Sequence, residues 1–150
     1  MAVLEVQEIS KSFDLVHAVR DVSFTASRGE ILGFLGPNGA GKTTTIRMIM
    51  GIIRPDTGAI RFAIDGKPTV LNKERIGYLP EERGLYEDAK VLDTLVYLAE
   101  LKGLTHAEAR EQAASWLERF DLAEWAKQKI ERLSKGMAQK VQFIAAILHK

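Results

Sequence analysis

The sequence GPNGAGKT occupies residues 36–43, and it decides how the rest of the chain is interpreted. It matches the pattern G-x-x-x-x-G-K-[ST] at Gly36, Gly41, Lys42 and Thr43. Glycines allow backbone conformations that a side chain forbids, so several N–H groups can turn toward one anion. A helix beginning near Lys42 would add the positive end of its dipole. The stretch therefore predicts a loop that binds the phosphates of a nucleoside triphosphate.

Each side chain of this loop has a chemical task. Lys42 supplies a mobile positive charge for the β- and γ-phosphates. The Thr43 hydroxyl is placed to ligate Mg²⁺, which takes oxygen ligands and keeps several waters. We expect Thr44 to donate toward the α-phosphate, and further nucleotide contacts come from Asn38, Gly39 and Ala40. By average residue usage the four-position match arises by chance in about one chain of this length in a few hundred, which disfavours an incidental glycine-rich turn.

The residues around the loop have the order that a phosphate loop requires. The apolar run ILGFL at residues 31–35 predicts a strand buried on both faces, as in a parallel sheet. Ile46, Ile49 and Met50 then recur at helical spacing. A buried strand, a glycine-rich loop and a helix in this order predict an α/β fold.

The remaining pattern divides the chain into a β-rich and a helical part. Alternation of apolar and polar residues predicts strands at 2–9, 18–26 and 60–64, with a turn at Asp65-Gly66, and residues 76–79 predict a short buried strand. Helices are expected at 91–102, 106–119 and about 136–149, with Thr105, Glu108 and Ser134 as capping residues. We therefore expect one domain with a β-rich part at 1–84 and a helical part at 85–150.

Composition narrows the function classes. Lys and Arg number 21 against 20 Asp and Glu, and a net charge of +1 gives no reason to expect nucleic acid as a partner. The absence of cysteine excludes a disulfide framework and a thiolate metal site. No apolar run approaches the roughly 20 residues that cross a bilayer, and the N-terminus lacks the basic and apolar segments of a signal peptide.

Several further segments resemble the ATP-binding subunits of ABC transporters, and the resemblance extends over all 150 residues. Lys11-Ser12-Phe13 is similar to that family's aromatic loop, and LSKGM at 133–137 resembles its signature motif L-S-G-G-Q. Residues 76–85 resemble the segment that carries the family's Gln. Within and just after them, the sequence YLPEERGLY is similar to sequences of the exporter-type (ABC-2-like, sodium-efflux) branch. The resemblance implies a P-loop NTPase fold, a RecA-like core with an antiparallel β subdomain and an inserted α-helical subdomain.

The resemblance also implies roles for individual residues. Phe13 would stack on adenine, which favours ATP as the nucleotide, and Ala18 would be the small residue beside the ring. Glu81 stands where the family has Gln, and it would take the Gln's place at Mg²⁺ and the attacking water; this is a departure, as are Lys135 and Met137 in the signature segment. Ser134 and Gly136 would contact the γ-phosphate bound to the opposite subunit.

The assembly that the resemblance implies is a homodimer, or a pair of ATPase subunits, with ATP sandwiched between the chains. Integral-membrane transporter subunits would be the further partners, and the protein would be cytoplasmic and peripheral on the inner face of the cell membrane. The family's sequence continues with a strand ending in Asp-Glu, and these 150 residues contain no such pair. We therefore expect a chain that is incomplete at the C-terminus, binds ATP and by itself hydrolyses it poorly.

Three other classes of function compete with this interpretation: a soluble ABC-type ATPase, a different phosphate-loop enzyme, and a pure binding or regulatory module. A soluble ABC-type ATPase acting on nucleic acid or in translation would normally have tandem cassettes or large insertions, and often a basic face; the net charge of +1 argues against it. A GTPase should contain an N-K-x-D motif, which does not occur, and a small-molecule kinase has no reason to contain residues 133–136. A pure ATP-binding or regulatory module describes a chain that binds ATP without turnover.

Overall fold

A four-stranded antiparallel sheet forms the base of the first of two units in the computed structural model, which describes residues 2–64, 67–71, 76–80 and 84–148. The units are Met1–Leu71 and Asn72–Lys150. The strands are β1 (Ala2–Phe13), β2 (Val16–Ser27), β3 (Thr57–Ile64) and β4 (Lys67–Thr69), in the order β2-β1-β3-β4. The three strands predicted by alternation are confirmed, and Asp65-Gly66 lies outside the described residues.

β1 and β2 form a long hairpin whose turn is Asp14-Leu15, and its last pair is Phe13 with Val16. Asp14 takes a left-handed conformation with φ 50°, which Asp tolerates in tight turns. Apolar side chains from one face of the hairpin pack with the helix after the phosphate loop. The buried members are Val6, Ile9, Val19 and Met48.

Helix α1 (Lys42–Ile49) begins at the end of the phosphate loop, as predicted. It buries Thr45 and Met48, and it lies against β2. Because this helix packs on the hairpin core, the start of α1 is held against β2.

The buried strand predicted at residues 31–35 is wrong. This segment has no strand pairing, and Ile31 and Leu35 are 98% and 96% exposed. A strand of a parallel sheet needs neighbouring strands to take its N–H and C=O groups. Within the described residues, the one sheet contains only β1 to β4, and none of them pairs with this segment.

The second unit is helical. Its helices are α2 (Val91–Glu100), α3 (His106–Arg119) and α4 (Lys135–Ile147), with 3₁₀ turns at Ala123–Trp125 and Ile130–Arg132. Their core contains Val91, Leu95, Leu117, Val141 and Ile144. The three predicted helices are confirmed, but residues 76–79 form no strand. No helix in the described part of the chain combines the length and the apolarity needed to cross a membrane.

The caps of the second unit agree with the sequence prediction. The Thr105 hydroxyl accepts from the Glu108 N–H, and the Glu108 carboxylate accepts from the Thr105 N–H, which is a complete capping box. Ser134 Oγ accepts from the Met137 N–H at 3.3 Å and caps α4. Local hydrogen bonds therefore set where α3 and α4 begin.

Candidate nucleotide-binding site

Gly41 is the point where the phosphate loop closes against the hairpin. It is the N-cap of α1 and has φ 82°, a conformation that favours glycine. A Cβ atom at this position would lie 2.2 Å from the Ala18 carbonyl oxygen and 3.0 Å from Val19 Cγ2. Backbone strain and close packing therefore both require glycine here. The same contact places the backbone of Ala18, a predicted site residue, beside the loop.

The Lys42 side chain folds back across the loop. Its Nζ donates to the carbonyl oxygens of Gly36 and Pro37, each at 2.7 Å. The ammonium is thus held at the loop by neutral acceptors. A phosphate oxygen is a stronger acceptor for an ammonium than a carbonyl oxygen is, because both partners of the hydrogen bond are then charged. The lysine can exchange these carbonyls for an anion without leaving the loop.

The N-terminus of α1 offers the loop its free donors. The first helical bond runs from the Thr45 N–H to the Gly41 carbonyl at 2.8 Å. The N–H groups before it have no acceptor within the helix, and the first turn contains no acidic side chain. No side chain in the first turn of α1 therefore neutralises the positive end of the helix dipole, and this end of the helix favours an anion.

The three threonines at the start of α1 differ in burial. Thr43 is exposed, Thr44 is half-buried and Thr45 is 2% exposed in the core. The Thr43 hydroxyl is thus the accessible one, and a hydroxyl oxygen is a donor atom that Mg²⁺ accepts. This residue fits the predicted metal role.

Phe13 ends β1 at the tip of the hairpin and is 46% exposed. Lys11 Nζ lies 5.6 Å from its ring centroid, a cation–π distance. An exposed aromatic face can stack on a nucleobase. Ala18, which follows the turn on β2, is half-buried.

The predicted residues of the signature segment belong to the second unit. Ser134, Lys135 and Gly136 are exposed at the start of α4, and a Cβ at Gly136 would have no neighbour within 4 Å. The segment therefore offers a hydroxyl and an open N–H group at a helix N-terminus. Glu81 lies outside the described residues, and within the described ranges no group of three or more His, Cys, Asp or Glu could hold a metal ion.

Residues 19–150 match the family of ABC transporter domains. The chain belongs to the ABC transporter family. The family match includes the phosphate loop, α1 and the signature segment. The predicted membership in this family is confirmed.

Individual ABC proteins resemble the chain over most of its length. It is 46% identical over 148 residues to the ABC transporter ATP-binding protein YhaQ of Bacillus subtilis (98% of this chain, 49% of the relative). It is 40% identical over 140 residues to the ABC transporter ATP-binding protein NatA of the same species (90% and 56%), and 41% over 149 residues to its linearmycin resistance ATP-binding protein LnrL (98% and 48%). The chain thus spans about half the length of the curated relatives it matches.

Solved structures of ABC proteins share the fold. One, the structure of an ATP binding subunit of an ABC transporter, has a TM-score of 0.82 at 34% identity and covers 98% of this chain and 62% of that one. Another is cbiO1 from Clostridium perfringens, part of the ABC transporter complex cbiONQ, with a TM-score of 0.78 at 25% identity over 99% and 62%. These similarities confirm the α/β fold with an antiparallel sheet.

Proposed function

We propose that residues 36–44 bind the phosphates of ATP together with Mg²⁺, and that the intact protein couples ATP hydrolysis to transport across a membrane. The observation that carries the proposal is the Lys42 ammonium, held across the loop by two carbonyl oxygens at the N-terminus of α1. Family membership supports ATP as the nucleotide.

The chain's own residues would bind the nucleotide from both ends. Lys42 moves from the Gly36 and Pro37 carbonyls to the β- and γ-phosphates, and the first N–H groups of α1 donate to the same anion. Phe13 stacks on adenine at the hairpin tip, with Ala18 beside it, and Asn38, Gly39, Ala40 and Thr44 complete the contacts. Mg²⁺, when bound to the Thr43 hydroxyl, neutralises phosphate charge.

Two chains complete the proposed site. Ser134 and Gly136 contact the γ-phosphate held by a second copy, or by a paired ATPase subunit, because both are exposed at a helix N-terminus that can face another chain. Integral-membrane subunits are the further partners, at the cytoplasmic face of the membrane. That cbiO1 is part of a transporter complex supports this arrangement.

Turnover would need groups beyond this loop. Phosphoryl transfer depends on an oriented water and acidic ligands as well as the phosphate cradle. Glu81 is the proposed contributor from this sequence, which contains no Asp-Glu pair. We therefore propose that the 150 residues bind ATP with little turnover, and that the intact protein supplies the base from outside them.

The test compares Lys42→Ala with Lys67→Ala, which removes an exposed lysine of β4 in the same unit. ATP·Mg²⁺ affinity is measured by calorimetric titration. We expect Lys42→Ala to weaken binding about tenfold or more, the value of a charge-assisted bond to phosphate, and Lys67→Ala to bind as wild type. Equal affinity of Lys42→Ala and wild type would overturn the proposal. In the full-length protein, Lys42→Ala should also abolish ATP turnover.

A further inference from the structure

The carboxylate of Asp56 connects the turn before β3 to the aromatic end of β1. Its Oδ1 accepts from Lys11 Nζ at 2.6 Å, and its Oδ2 accepts from the Ser12 N–H at 2.8 Å. The Asp56 N–H in turn donates to the Ser10 carbonyl at 2.8 Å. We call these three bonds the Asp56 clamp. They hold the residues that lead directly into Phe13.

The Asp56 clamp lies where the sheet stops supporting β1. The pairing of β1 with β3 ends at Ser10 with Thr57, so residues 11–13 have β2 as their only strand neighbour in the described sheet. The pairing with β2 is itself irregular here, with register shifts between Ile9 and Lys11 and between Lys11 and Ser12. On the β3 side, where β1 has no strand partner at this point, Oδ2 of Asp56 accepts the Ser12 N–H as a strand carbonyl would.

Lys11 extends the clamp to the aromatic ring. The Nζ that binds Asp56 is also the cation 5.6 Å from the Phe13 ring centroid. The hydrogen bond from Lys11, followed by that from the Ser12 N–H, holds the pKa of the Asp56 carboxyl below its ordinary value, which favours the charged carboxylate. The Asp56 side chain is 45% exposed and that of Lys11 18%. Ion pairs that reach solvent add little to folding free energy, so the contribution of the clamp is to position.

We propose that Asp56 is a positioning residue for the nucleobase: it sets the place of the Phe13 ring through Lys11 and Ser12. The inference rests on the proposed stacking of Phe13 on adenine. Asp56 follows α1 in the chain and is docked on β1 by its own N–H group. It therefore connects the helix that binds the phosphates to the side chain that binds the base.

The experiment measures the affinity of the full chain for ATP and for inorganic triphosphate, which has no base. Asp56→Ala removes both carboxylate contacts, and Asp56→Asn keeps an oxygen for Ser12 while losing the charge that holds Lys11. We expect ATP affinity to fall about threefold to tenfold for Asp56→Ala, and less for Asp56→Asn. Triphosphate affinity and the melting temperature should stay at their wild-type values. Asp14→Asn, at the tip of the same hairpin and outside the clamp, is the control for loss of charge.

Phe13→Ala separates failure of this inference from failure of the stacking itself. Combined with Phe13→Ala, Asp56→Ala should cause no further loss of ATP affinity, because the ring it positions is gone. If Phe13→Ala weakens ATP binding and the Asp56 variants do not, the positioning role is wrong and the stacking stands. If Phe13→Ala leaves ATP affinity unchanged, both are wrong. An equal loss of affinity for ATP and for triphosphate would mean that Asp56 acts through the fold or the phosphate loop, and it would overturn the proposed role of Asp56 in positioning the base.

Discussion

Replacing Gly41 by alanine tests whether the phosphate loop is held by close packing on the hairpin. The added Cβ would lie 2.2 Å from the Ala18 carbonyl oxygen and 3.0 Å from Val19 Cγ2. Both neighbours belong to β2, and Val19 is buried in the core of the unit. The atoms that would have to move are therefore backbone and packed side chain, which yield only at a cost.

The loss of unfolding free energy expected for Gly41→Ala has two contributions, and two other glycines allow them to be measured separately. A left-handed φ costs a non-glycine residue about 1–2 kcal/mol, and a clash in a packed region costs about 1–3 kcal/mol more. Gly39 and Gly29 have φ 81° and 78°, and neither has an atom within 4 Å of an added Cβ. Alanine at these two positions should therefore lower the free energy of unfolding by about 1–2 kcal/mol, and Gly41→Ala by about 2–5 kcal/mol.

The assays are urea unfolding and ATP titration on the three alanine variants in parallel. We expect Gly41→Ala to lose at least about tenfold in ATP affinity, because relief of the clash moves the N–H groups of α1 away from the anion. Gly29→Ala, outside the loop, should bind ATP normally. If Gly41→Ala unfolds within about 0.5 kcal/mol of Gly39→Ala, a difference at the limit of additivity, the contact with Ala18 does not constrain the loop.

Three further outcomes concern the helical unit. Thr105→Ala removes the cap of α3 and should lower the free energy of unfolding by about 1 kcal/mol, measured by urea titration followed through tryptophan fluorescence. Leu95→Ala, at a 0% exposed core position, should cost about 2–5 kcal/mol, whereas Leu101→Ala, at a 61% exposed position, should change stability little; equal effects would contradict the packing described. Hydrogen bonds from the Thr105 hydroxyl and N–H hold the pKa of Glu108 below its ordinary 4.5. Wild type should therefore be more stable than Glu108→Gln above pH 4.5, and this difference should disappear as the pH falls through the lowered pKa. A gap between these two proteins that widens in acid would contradict that sign.

The parts of the fold that the sequence predicts correctly depend on local signals. The alternation in β1, β2 and β3 reports one buried face, and the capping residues Thr105 and Ser134 bond within their own first helical turn. The loop and the start of α1 are predicted from an equally local signal, the glycines and the lysine within residues 36–43. These interactions connect residues that the chain itself keeps close.

The errors and omissions concern partners distant in sequence. The run at residues 31–35 has the composition of a buried parallel strand, but burial and pairing depend on neighbours that no short window contains. No role is predicted for Asp56, since its contact with Lys11 spans 45 positions. A carboxylate in a turn gives no sign of which amine or N–H group it binds. The roles of the site residues in binding stay predictions.

The hairpin turn is also a convenient place to attach a reporter dye. The sequence contains no cysteine, and Leu15 in this turn is 97% exposed. Leu15→Cys would therefore give a single thiol, open to reagents and close to Phe13, without disturbing a packed side chain. A small environment-sensitive dye attached there would report the arrival of a base separately from the arrival of a phosphate, in real time and with unmodified nucleotides.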